Sequence, residues 1–220
     1  MANITAKDVA ALRAKTGIGM MECKKALVEA EGDMDKALKI LRERGLAVAA
    51  KKEGRIAADG VVAILKNGAT TAMIEVNSET DFVAKNDKFR GYVKTVVEQA
   101  ANSTATDIDA FLAETWAADP SKTVAEELAA QIAVIGENMK IRRFEKVVAA
   151  DGFVESYIHG GGKIGILVEF KSNVYTAAVR ECAKNVAMQI AAMSPEYLAK
   201  ADISAEELAK MESITIDSAL

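Results

Sequence analysis

Several chemistries are excluded by what this chain of 220 residues lacks. Phe, Trp and Tyr together make up only 5% of it, so each aromatic at an unusual position is worth a question. There is one histidine, His159, so any Ser-His-Asp or Cys-His catalytic site would have to use it. There are two cysteines, Cys23 and Cys182, far apart and in no paired spacing. That rules out a disulfide framework or a Cys-based metal site and suits a reducing compartment. A basic excess is missing too: the net charge of −4 argues against nucleic acid as a direct partner. No apolar run approaches the ~18 residues of a membrane span. The opening Met-Ala-Asn-Ile-Thr lacks the basic and apolar regions of a signal peptide, so a cytoplasmic location is expected. Proline is scarce, at Pro120 and Pro195, and alanine is abundant, which favours helix.

What is present reads as an α+β chain. Residues 1–45 form three short helices. Thr5 and Asp8 make a capping box, with Ile4 and Val9 placed for a hydrophobic staple. Gly17 supplies a left-handed stop, and Gly19 opens a second helix carrying Cys23, Ala26, Leu27 and Ala30. Gly32 ends that helix, Asp33 caps a third, and Gly45 is expected to end it. Ile18, Met20 and Met21 crowd a glycine-framed loop. Either Ile18 and one Met fill the small core, or they form an apolar docking patch, a use that suits the adaptable Met side chain. Residues 46–58 then read as a basic linker helix with an Asp59-Gly60 turn after it.

Residues 59–139 read as a first core subdomain and 140–220 as a second. In the first, Val61–Leu65 and Thr70–Val76 are strands joined by Asn67-Gly68, a strong hairpin signal. A long helix is expected from Asp81 and another over Val124–Ile135, stopped at Gly136. In the second, Lys140–Val148, Gly152–His159 and Ile164–Phe170 read as strands of one sheet, followed by a helix over Tyr175–Met193. Strands and helices are segregated and not alternating, which is the α+β pattern.

No catalytic constellation emerges. His159 closes a strand with no nucleophile motif near it. Gly160-Gly161-Gly162-Lys163 lacks phosphate-loop spacing and opens a strand, so it reads as a hairpin turn. No metal or cofactor site is expected, nor an enzyme. What remains is interaction, and the stretch that invites it is Glu75–Lys85. There a strand meets a helix through the polar corner Asn77-Ser78-Glu79-Thr80-Asp81, with Phe82 directly after it. Position type alone favours a Phe82 turned inward to anchor the helix. The other possibility is a Phe82 presented outward to a partner protein, and nothing local decides between them.

Four segments, in order, resemble the bacterial elongation factor Ts family. They are Ile4-Thr5-Ala6 through Thr16-Gly17-Ile18-Gly19-Met20-Met21-Glu22-Cys23-Lys24-Lys25-Ala26-Leu27, then Glu75–Lys85, Ile135-Gly136-Glu137-Asn138 and Tyr157-Ile158-His159-Gly160. The resemblance implies a guanine-nucleotide exchange factor for elongation factor Tu, with a ubiquitin-associated-like (UBA-like) helical start and a two-part core of antiparallel sheets packed with helices. By that resemblance Leu12, Met20 and Met21 would dock on the partner's G domain. Thr80, Asp81, Phe82 and Val83 would form a wedge near its Mg²⁺ site. Ile135, Gly136 and His159 would press on neighbouring helices. Phe82 would then face outward, against the local expectation. The family also implies further sequence beyond Leu220, so the chain reads as truncated there, and self-association stays open. The competing reading is a non-catalytic protein-binding module with a UBA-like domain.

Overall fold

A computed structural model describes residues 4–219. It begins with α1 (Ala6–Thr16), α2 (Met20–Glu29) and α3 (Met34–Lys52). The Thr5–Asp8 capping box and the left-handed Gly17 are both formed, and Asp33 caps α3 through the Asp35 and Lys36 amides. The bundle core is small: Val9, Leu12, Cys23, Ala26, Leu27, Ala30, Ala37 and Leu41, with Ile4, Ile18 and Met34 at its margin. Ile18 thus packs inward while Met20 and Met21 stay exposed.

Gly45 does not end the third helix. α3 runs on through it to Lys52, so the expected linker helix is the second half of α3. The reason is tertiary. Gly45 is buried, and a Cβ there would lie 3.9 Å from Ala129 O, Ala130 Cα and Ala133 Cβ of α7 (Val124–Ile135). A glycine lets two helix backbones approach closely, and that packing outweighs its poor helix propensity.

The core follows as β1 (Asp59–Asn67), β2 (Thr70–Ser78), α4 (Asp81–Ala84), α5 (Asp87–Asn102), α6 (Ile108–Ala113), α7, and β3 (Met139–Val148). Asp59-Gly60 is not a turn. It opens β1, pairing with Ser78 and Asn77, and Asn77 Nδ2 donates to Asp59 O at 2.9 Å. β3 is also a correction, because it lies antiparallel to β2 in a sheet ordered β1-β2-β3. The strand expected in the second sheet therefore completes the first. Its apolar residues explain this: Met139 and Ile141 are buried in the same core as Ile74 and Val76 of β2 and Phe89, Val93, Val96 and Val97 of α5. Burying one such side chain contributes roughly 1.5–3 kcal/mol.

The long helix expected from Asp81 is two helices. α4 stops after one turn, and the Asn86 side chain accepts the Lys88 amide at 2.9 Å to start α5 afresh.

The second sheet is the hairpin of β4 (Gly152–His159) and β5 (Ile164–Lys171). It is backed by α8 (Ala177–Met193), whose Ala183 and Ala187 are buried. Phe153 stacks on Phe170 at 5.2 Å and meets Tyr175 edge-on at 4.8 Å. A 3-10 turn at Lys200–Asp202 and α9 (Ala205–Ala219) end the described chain. The hairpin sits tightly on the first sheet: a Cβ at Gly165 would lie 2.4 Å from Val62 Cγ1. The Val62 amide also donates to Gly162 O at 2.7 Å.

Candidate functional site

Thr80 sets the local structure at the corner. Its backbone is extended, and its hydroxyl accepts the Val83 amide at 3.3 Å, so it is the N-cap of α4. Val83 packs against the main core and Ala84 is buried in it. Successive helical residues are rotated by about 100°, so with Val83 and Ala84 turned in, Phe82 is turned out. It is 81% exposed. The inward anchor expected from position type is not what forms, because Val83 and Ala84 already supply it. Asp81 pairs with Lys85 at 2.7 Å, and that hydrogen bond, with the charge of Lys85, holds its carboxyl below the ordinary Asp range.

Three segments distant in sequence converge here. Gly136 ends α7 in the left-handed conformation, and the next residue reaches across to Thr80. Glu137 Oε2 accepts the Thr80 amide at 3.0 Å, and Oε1 accepts its hydroxyl at 2.6 Å. The neighbouring residues clasp in the opposite sense, the Asn138 amide donating to Glu79 Oε1 at 2.5 Å. The buried Asn138 side chain holds the chain after α3, donating to Glu53 O at 3.3 Å and Arg55 O at 2.7 Å. Lys52 donates to Gly136 O. The turn after His159 is tied to the same place by Arg90, which donates to Ala84 O at 3.0 Å and to Gly161 O at 3.1 Å. His159 itself is exposed, with Nδ1 2.9 Å from the Tyr157 hydroxyl.

The structure thus links Thr80–Val83, Ile135–Gly136 and the His159 turn through hydrogen bonds. Met20 and Met21 stand apart on the bundle, 53% and 65% exposed. Their approach loop nevertheless abuts α7, a Cβ at Gly17 lying 4.0 Å from the Val134 methyls. Leu12 is a correction. It is 0% exposed in the bundle core, so it has no surface to offer a partner and instead supports the helices that present the methionines. Glu79, Arg90, Glu137 and Asn138 were missed by sequence reasoning. Glu137-Asn138 read as the end of a helix and as part of a family-like segment, with no role of its own, and the one local signal was that two polar residues follow a helix-ending glycine.

A model of the family described as elongation factor TS matches residues 79–220, from the corner onward. The elongation factor Ts of Clostridioides difficile (strain 630) is 50% identical over 222 residues, covering 100% of this chain and 72% of that protein. The chain belongs to the elongation factor Ts family. The elongation factor Ts of Clostridium perfringens (strain 13 / Type A) is 49% identical, covering 96% of this chain and 70% of its own length. That of Trichlorobacter lovleyi is 48% identical with the same coverage. These alignments take in the helical bundle, which the family match does not reach. Among the described residues no helix is long and apolar enough to cross a membrane, and no group of His, Cys, Asp and Glu is arranged to hold a metal ion.

Proposed function

We propose that this chain is the guanine-nucleotide exchange factor of elongation factor Tu, acting in the cytoplasm during translation elongation. It binds the GDP-bound and nucleotide-free partner and does no bond chemistry of its own. The observation that carries the reading is Phe82: a large apolar side chain 81% exposed, on a helical turn whose start is clasped by Glu137 and Asn138. Within Thr80–Val83, Asp81 and Phe82 insert near the partner's Mg²⁺ site and dislodge the ion. Ile135, Gly136 and His159 press on adjoining helices, and Met20 and Met21 dock the bundle.

The physics is linkage. A wedge that distorts the phosphate- and Mg²⁺-binding region weakens nucleotide binding, and nucleotide must weaken the factor's binding by the same ratio. Burying a Phe side chain in a partner pocket supplies roughly 1.5–3 kcal/mol toward that distortion. Rigidity matters because a wedge that folds away on contact transmits no strain.

The test is release of fluorescent GDP from elongation factor Tu at substoichiometric factor. Phe82→Ala is expected to slow stimulated release on the order of tenfold, the worth of about 1.4 kcal/mol. Its melting curve should not change, since exposed substitutions stay within about 0.5 kcal/mol. A Phe82→Ala protein that binds and stimulates like the parent would remove the wedge role. No stimulation by the parent chain itself would favour a plain protein-binding module.

A further inference from the structure

We infer that Glu137 is a positioning residue for Phe82, an inference that rests on the exchange reading above. α4 spans four residues, and one helical turn fixes several backbone angles for a single hydrogen bond, so it does not hold itself. The Phe82 ring has no aromatic partner among the described residues and is 81% exposed. Its direction must therefore be fixed through the backbone that carries it, which Val83 and Ala84 hold in the core on one side and Thr80 holds on the other.

Both oxygens of the Glu137 carboxylate are spent on Thr80. One takes the amide at 3.0 Å and the other the hydroxyl at 2.6 Å. Using the hydroxyl proton this way leaves the Thr80 oxygen lone pairs free for the Val83 amide, which completes the cap. The side chain thus orients the N-cap, the cap orients α4, and α4 aims Phe82. One such contact would leave a hinge. The second, from Glu79 to the Asn138 amide one residue along on each segment, removes it. The same carboxylate ties the wedge to the Ile135–Gly136 corner, so the two contact points move as one body. A charged acceptor with short bonds suits this role, since charge-assisted bonds are about twice as strong as neutral ones.

A role in folding alone would predict something different, and the test separates the two. GDP release from elongation factor Tu is measured against factor concentration for the parent, Phe82→Ala, Glu137→Ala, Glu137→Gln and the Phe82→Ala/Glu137→Ala pair. Glu137→Ala is expected to lower the maximal stimulated rate about fivefold or more, in line with losing a charged hydrogen-bond pair. The half-saturating concentration should move less than about twofold, because the docking contacts remain. On the Phe82→Ala background the second change should add nothing, as for two residues acting through one another. Glu137→Gln can accept the amide and donate to the hydroxyl, and should restore most of the rate. If Glu137→Ala folds poorly, Thr80→Val removes the hydroxyl half of the clasp together with the α4 cap and must show the same non-additivity. Rate losses that multiply in the double variant would overturn the inference and leave the exchange reading standing. A fully active Phe82→Ala would overturn the inference together with the wedge role, and no stimulation by the parent chain would overturn the exchange reading itself.

Discussion

Two regions of this molecule expose large apolar side chains, and they do so in opposite ways. On the bundle, Met20 and Met21 begin α2, whose N-cap Gly19 makes no side-chain hydrogen bond. Thioether side chains have three rotatable bonds and adapt to the surface they meet. At the core, Phe82 is an inflexible ring on a turn held by Glu137, Glu79 and the Asp81–Lys85 pair. An adaptable surface suits adhesion, and a fixed one suits deformation of the partner. The difference suggests that affinity and exchange rate can be altered separately.

The largest effect expected from breaking that comparison comes from beneath the methionines. Leu12 is fully buried in a core of eight residues, all of them small or aliphatic. Leu12→Ala should cost about 2–5 kcal/mol, the range for buried leucines. A bundle this small has little to spare. Hydrogen exchange should show α1–α3 opening well before the three-stranded sheet. Equal protection of both regions in this variant would mean the bundle is not a separate unit of stability.

A smaller effect is expected at the surface itself. Met20→Ala together with Met21→Ala removes the exposed apolar area and leaves the bundle core intact. Affinity for elongation factor Tu should fall roughly tenfold, the worth of about 1.4 kcal/mol over the two side chains together. The rate at saturating factor should hold. Calorimetric affinities alongside saturation curves decide the matter. A loss of maximal rate with unchanged affinity would invert that division of labour.

How much of this was legible in the sequence depends on how local its cause is. The Thr5–Asp8 capping box, the Gly17 stop, the Asn67-Gly68 hairpin and the Gly136 stop of α7 are settled within four residues, and each appears as expected. Gly45, the sheet that β3 joins, and the break after Ala84 depend on contacts far along the chain. Local propensity gave the wrong answer at the first two and no warning at the third. Phe82 is the sharpest case. Burial statistics placed it inside, and only the likeness to a family placed it outside. The cause is the inward turn of Val83 and Ala84 against a core assembled from distant strands. Leu12 went the other way: a family-based role was carried onto a side chain that the bundle encloses. The Glu137–Thr80 clasp spans 57 residues and has no periodicity or motif to betray it.

The smallest effect expected is also the one that asks whether the two surfaces are fixed relative to each other. Gly45 is where α3 crosses α7, and an added methyl there would meet three atoms of α7 at 3.9 Å, ordinary van der Waals contact. Alanine therefore fits without displacement. Relieving a glycine in a helix interior contributes about 0.5–1 kcal/mol. Gly45→Ala should raise the melting temperature by about 1–4 °C for a chain of this size and leave stimulated GDP release unchanged. Leucine does not fit, because its further carbons need space that the α7 backbone already occupies. Gly45→Leu should separate the bundle from α7 and weaken binding by misaligning Met20 and Met21 with the Phe82 corner, while each part stays folded. If Gly45→Leu binds as tightly as Gly45→Ala, the bundle is only tethered. The two apolar surfaces would then engage the partner independently, and their contributions would combine through effective concentration and not through rigid geometry.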